Sequence, residues 1–209
     1  MKVTMKKLLK PGHPQGPPLR KKRRRLGPLP ALLFFLPSIW ACDDNPFQVR
    51  WELNPDTVLI YSLARPEMNL ASAFDFVGRT KVRVESPSAV GEWDLAVDTR
   101  DGAIVFVPPG AIGVLNSTAR VAPMGNIDFD DLQRAPRDTT LYIGDRPVQA
   151  EVGQLYVVRT RQKVGGYGTR CVYYGKIEPI EADPLEGTLT FVFDISPVCN
   201  DRKLFPPKD

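Results

Sequence analysis

Between positions 58 and 195 the chain is cut into short runs rich in β-branched and aromatic residues, at 58–63, 81–85, 93–98, 103–107, 141–143, 155–161, 171–177 and 189–195. Turn residues separate them. Runs of this length and spacing predict an all-β fold, mainly antiparallel, built as a sandwich or a barrel-like sheet. Lys81-Val82-Arg83-Val84-Glu85 alternates polar with apolar, as a strand with one wet face does. Thr99-Arg100-Asp101-Gly102 reads as a hairpin turn in which Gly102 is free to take positive φ. Trp93 and Leu95 are expected on a core face, with Asp94 and Asp98 turned to solvent. One short helix is expected at 128–134, where Asp128 can cap the first amides and acidic residues fill the first turn.

Charge divides the chain before any strand begins. The whole sequence has 28 Lys and Arg against 24 Asp and Glu. Ten of the basic residues, from Lys2 to Arg25, lie in 1–41, which holds no acidic residue. The remainder is near −6 and has no electrostatic footprint for a phosphate backbone, so nucleic acid is excluded as a partner. The stretch 26–41 is uncharged and broken by proline, too short for a bilayer-spanning helix of roughly 20 apolar residues. A basic run, a short apolar region and a small residue before the junction read as a secretory signal with a long n-region; a basic tail beside a short buried segment is the alternative.

Ile39-Trp40-Ala41-Cys42 at that junction resembles the lipobox of bacterial lipoproteins. Trp40 is larger than the residue usual at its position, while Ala41 and the following Asp43-Asp44 fit. The resemblance implies removal of 1–41, lipidation of Cys42 and attachment to the cell membrane or outer membrane, with the domain in the periplasm or at the cell surface. Two or three acyl chains would hold such a protein stably, where one would not. Ordinary signal cleavage near Ala41 would give a soluble product instead. Residues 42–56 then form a tether, and 57–209 a single β-rich domain large enough for a substantial core.

With Cys42 assigned to the anchor, Cys171 and Cys199 remain, an even number for an oxidising compartment. The turn chemistry of Ala182-Asp183-Pro184-Leu185-Glu186-Gly187 centres a hairpin whose paired positions sum to about 369. That register sets Lys176 opposite Asp194 and Ile177 opposite Phe193, and brings Cys171 nearly opposite Cys199. A disulfide follows; two buried free thiols are the alternative. A metal site is not expected, because no histidine stands near to complete it.

Several segments in order resemble the HmuY-like family of bacterial β-sheet lipoproteins, some of which bind haem. They are Phe74-Asp75-Phe76-Val77-Gly78, Trp93-Asp94-Leu95-Ala96-Val97, Phe129-Asp130-Asp131-Leu132 with Ala135-Pro136, Gly153-Gln154-Leu155-Tyr156-Val157-Val158-Arg159-Thr160, and the final Lys176-Ile177 with Gly187-Thr188-Leu189-Thr190-Phe191. They cover roughly 56–195. The resemblance implies a lipid-anchored envelope binding protein. Haem ligation by two histidines, as in the family's haem binders, is not open to this chain, whose only histidine, His13, lies in the leader. Met68 and Met124, both in loop-like sequence, are the axial ligands left for haem.

The same shortage removes Ser-His-Asp, Cys-His and His-metal chemistry from the mature chain, and no enzymatic role is expected. Asp128, Asp130 and Asp131 lack calcium-loop spacing. Gly165-Gly166-Tyr167-Gly168 has no phosphate-loop ending and reads as a hairpin tip, with Tyr167 framed to touch a flat ligand or a partner. Candidate contacts are therefore Met68, Met124 and Tyr167, for a small-molecule ligand such as haem. The competing reading is an accessory envelope lipoprotein that acts through protein partners.

Overall fold

The structure, a computed structural model, describes residues 55–206. Residues 1–54, on which the expected leader with His13, the Ile39–Cys42 junction and most of the expected tether fall, lie outside the described residues. Two five-stranded antiparallel sheets make up the domain, and neither closes into a barrel. The first contains β1 (Asp56–Tyr61), β6 (Arg120–Gly125), β8 (Leu155–Arg159), β11 (Tyr174–Asp183) and β12 (Thr188–Ile195), in the order β1-β12-β11-β8-β6. The second contains β2 (Ala73–Asp75), β3 (Thr80–Val82), β4 (Leu95–Arg100), β5 (Ala103–Val107) and β7 (Val148–Gln149), in the order β3-β2-β4-β5-β7. A small hairpin of β9 (Lys163–Val164) and β10 (Arg170–Cys171) stands apart.

The sheets are held face to face by the residues that alternation predicts. In β12, Leu189, Phe191, Phe193 and Ile195 all point inward, and they meet Phe74 and Phe76 from the other sheet. The four phenylalanines make mostly edge-to-face contacts, with ring centroids 5.0–6.2 Å apart. Such pairs add stability beyond the apolar area they bury. Smaller clusters cover the outer faces: Trp93, Ala96 and Val107 on one sheet, and Ala122, Tyr142, Val157 and Leu204 on the other.

Turn chemistry sets the registers. Asp101 and Gly102 both have positive φ, 51° and 76°, which is the two-residue turn that matches strand twist. It pairs Arg100 with Ala103. In the last hairpin Lys176 stands opposite Asp194 and Ile177 opposite Phe193, as expected, and a bulge between Pro179 and Glu181 moves the pairing by one toward the turn. The Asp183 carboxylate fixes that turn by accepting from the Leu185 and Glu186 amides at 2.8 and 2.9 Å. Cys171 and Cys199 form a disulfide with Cα atoms 5.0 Å apart.

Four local expectations need correction. The helix over 128–134 is absent. Asp128 and Asp131 close only a turn, the Phe129 carbonyl accepts from Lys176 Nζ at 2.6 Å, and the Gln133 carbonyl accepts from the Leu204 amide. The C-terminal strap thus takes the backbone groups a helix would need. The run at 171–177 is two elements, β10 and β11, because the Val172 and Tyr173 amides donate to the side chains of Asn200 and Thr160. At 139–141 a 3-10 turn, capped by Asp138 on the Thr140 amide, replaces the strand, and Ile143 alone bridges to Val121. Met124, expected in a loop, sits on β6 and packs partly buried on the outer-face cluster.

Candidate functional site

Asp94 is 0 % exposed. It precedes β4 by one residue, so strand alternation does not govern it, and its carboxylate is turned into the protein instead of to solvent. One oxygen accepts from the Arg161 amide at 2.7 Å and the Arg161 guanidinium at 3.2 Å; the other accepts from the Phe76 amide at 3.0 Å. Asp98, the other aspartate expected in water, is half-buried and pairs with Arg100 at 2.9 Å.

Around Asp94 the charges are arranged in a chain across the two sheets. Arg161, just past the end of β8, also spans both carboxylate oxygens of Asp75, at 3.1 and 3.2 Å, and reaches Glu92 at 3.0 Å. Lys163, on β9, meets Asp75 at 2.9 and 3.0 Å. Three carboxylates therefore face two cations. Burial pushes the Asp94 carboxyl above the ordinary aspartate value, and the Arg161 charge with two amide donors offsets only part of that. Burial acts the same way on Asp75, but Arg161, Lys163 and the Gly78 amide outweigh it and hold this carboxyl below the ordinary value. The guanidinium favours ionisation of both aspartates; the deeper burial of Asp94, against the added Lys163 and Gly78 donors at Asp75, drives the two apart in acidity.

This network braces a cleft of about 190 Å³. Its walls come from the segment before β4 (Gly91, Trp93), the β5–β6 loop (Pro109, Val114, Asn116) and the residues after β8 (Arg161, Gln162). Arg159 fixes the far end of that loop by donating to the Thr118 carbonyl at 2.9 Å, and Thr118 Oγ1 donates to the Thr160 carbonyl. The side-chain amides of Asn116 and Gln162 are exposed and make no hydrogen bond among the described residues. A second, open and more polar cleft of about 310 Å³ lies on the other side of the network, where Asp75 and Glu92 face Lys81 and Arg83.

The residues singled out from sequence fall elsewhere. Met68 is on the β1–β2 loop and 69 % exposed, Met124 is on β6, and Tyr167 is fully exposed at the β9–β10 tip with φ 58°. They occupy three separate elements and line neither cleft. Among the described residues no group of three or more His, Cys, Asp or Glu could hold a metal ion. Sequence reading missed Asp75, Asp94 and Arg161, because the local pattern points the other way. In Phe74-Asp75-Phe76 and Trp93-Asp94-Leu95 a single carboxylate stands between large apolar residues, which in a strand places it on the wet face; the burial comes at strand ends, with Asp75 last in β2 and Asp94 just ahead of β4. Comparison with protein-family models, with curated proteins and with solved structures returned no match.

Proposed function

We propose that the chain is a lipid-anchored envelope protein of bacterial type whose β-sandwich works as a binding module, with the cleft between Trp93, Asn116 and Gln162 as its site. The observation that carries this reading is the cleft itself. Three segments distant in sequence meet there, a buried charge network holds two of them, and two side-chain amides are left uncommitted at its wall. Binding sites in folds of this kind are built from loops on a rigid scaffold. A preformed wall also lowers the entropy lost on binding.

Export and anchoring rest on the leader, the Cys42 junction and the resemblance to HmuY-like lipoproteins, and the Cys171–Cys199 disulfide supports an oxidising compartment. Labelling of cells with a fatty-acid probe tests the anchor: Cys42→Ala abolishes incorporation, and unchanged labelling refutes it. Haem remains the ligand the family resemblance suggests. A saturable Soret shift with haemin that weakens in Met68→Ala or Met124→Ala would assign it to the methionines. A cleft of about 190 Å³ is smaller than the roughly 300–1,000 Å³ that encloses a drug-sized ligand, so a macrocycle would not be enclosed there.

An accessory role through protein partners is the second reading, favoured by exposed aliphatic residues beside the cleft. Val90 is 81 % and Leu115 87 % exposed, each adjacent in sequence to a residue of the cleft wall. Crosslinking in cells from positions 90 and 115 then recovers one constant neighbour; recovery of monomer alone counts against this role.

A further inference from the structure

We infer that the cleft takes one neutral sugar ring, a deduction that rests on the binding-module reading and names its ligand class. Charge comes first. Arg161 is the only charged residue in the cleft lining, and its guanidinium already serves Asp94, Asp75 and Glu92. An anion arriving there would compete with three carboxylates, one of them fully buried and two at hydrogen-bond distance from protein amides. A cation would meet the guanidinium itself. Neither sign of ligand gains a free partner, so the site favours an uncharged one.

The groups that remain uncommitted are neutral and two-sided. Each free carboxamide, at Asn116 and Gln162, offers two N–H donors and a carbonyl acceptor. Ser117 Oγ accepts from the Ala119 amide at 3.2 Å, which leaves its own hydrogen to donate. Vicinal hydroxyls, each donor and acceptor at once, match such a set, whereas a ketone, which only accepts, or an ammonium group, which only donates, uses half of it. The apolar part of the lining comes from the edges of the buried Trp93 and Pro109 and from the more exposed Val114, which the C–H bonds of a pyranose can meet. The volume of about 190 Å³ is of the size to hold one ring, with anything further lying outside the cleft.

Ligand-observed saturation-transfer NMR on the full chain tests this, with methyl α-glucopyranoside, methyl β-galactopyranoside, methyl α-mannopyranoside and N-acetylglucosamine as neutral probes and glucuronate and glucosamine as charged ones. At least one neutral probe binds saturably in the millimolar range. Its dissociation constant rises at least about fivefold in Asn116→Ala and in Gln162→Ala, both exposed positions whose loss leaves the unfolding midpoint unchanged. The charged analogue of that probe binds more weakly. Absence of binding by every neutral probe overturns the proposal, as does binding indifferent to both substitutions or equal binding of the charged analogues. A parallel arm with N-methylacetamide and cyclohexanol separates the two levels of inference. If these bind with the same dependence on Asn116 and Gln162 while no sugar does, the sugar assignment falls and the cleft stands as a site. If nothing binds, both fall.

Discussion

Replacement of Arg161 by Met removes the one group that connects Asp94, Asp75 and Glu92, and the geometry sets the cost. Breaking a buried ion pair by deleting one partner costs about 3–5 kcal/mol, because the remaining charge is left without compensation. Here the stranded groups keep some partners. Asp94 retains the Phe76 amide at 3.0 Å and the backbone amide of position 161 at 2.7 Å, and Asp75 retains Lys163 at 2.9 Å. Glu92 is largely exposed and loses little. The expected loss is therefore at the lower end, about 3 kcal/mol, a large fraction of a domain's total. Urea unfolding of Arg161→Met, followed by far-UV circular dichroism, should show a lower midpoint with an unchanged slope. Asp94→Asn removes the buried charge but keeps an acceptor for only one of the two amides, which bond to different oxygens of Asp94, so the double variant should recover only part of the loss, with a coupling of about 1–3 kcal/mol. The pH dependence adds a sign. Burial raises the Asp94 carboxyl above its unfolded value, so ionisation is penalised in the native state and the penalty disappears as pH falls below that native value. The loss in Arg161→Met is thus larger at pH 7 than at pH 4. A loss below about 1 kcal/mol at pH 7, or strict additivity of the two substitutions, would refute the view that this network braces the domain.

The disulfide closes a separation of 28 residues, so Cys171→Ser/Cys199→Ser should lose about 3–4 kcal/mol by urea unfolding in the loop-entropy model, matched by reductant acting on the native chain. Asp75 has a native carboxyl held below its unfolded value, so it contributes stability above the ordinary aspartate range and that contribution is lost as pH falls through the lower native value; Asp75→Asn should flatten this acid limb in a series of urea midpoints from pH 2 to 5. Ser196 Oγ is fully buried with no hydrogen-bond partner among the described residues, and Ser196→Ala should raise stability by about 1 kcal/mol, where a decrease would point to a partner for the hydroxyl.

The parts of the fold that could be read from sequence are those whose physics is local. Period-two alternation in 189–195 requires one buried face, and β12 buries Leu189, Phe191, Phe193 and Ile195. Asp101-Gly102 accepts positive φ at both positions, and the β4–β5 register follows from that. The last hairpin is legible for the same reason, down to Lys176 opposite Asp194; Cys171 and Cys199 do form the expected disulfide, but beyond the end of that ladder, with Cys171 paired to β9. Local signals mislead where a distant segment competes for the same backbone groups. Residues 128–134 carry helix-start chemistry, yet the strap at 202–204 takes the Ala135 amide and the Gln133 carbonyl, and Lys176 takes the carbonyl of Phe129. Seven residues of helix are too few to win against that, since nucleation is costly and only packing repays it.

The candidate site is less legible because every bond that defines it is long-range. Arg161 lies 67 residues from Asp94 and 86 from Asp75, and nothing in the sequence near any one of them announces the others. Exposed-looking features, by contrast, draw attention out of proportion to their contacts. Met68 and Tyr167 are conspicuous in sequence because they sit among turn residues, and turn residues are the ones a fold leaves at its surface. Phe-Asp-Phe and Trp-Asp-Leu each read locally as strand with the carboxylate in water, because successive side chains of a strand point to opposite faces. Only the fold shows Asp75 as the last residue of β2 and Asp94 just ahead of β4, both buried where the chain arrives after β8. A guanidinium with paired, planar donors can serve both carboxylates at once, and Arg161 does so beside the cleft that it also lines.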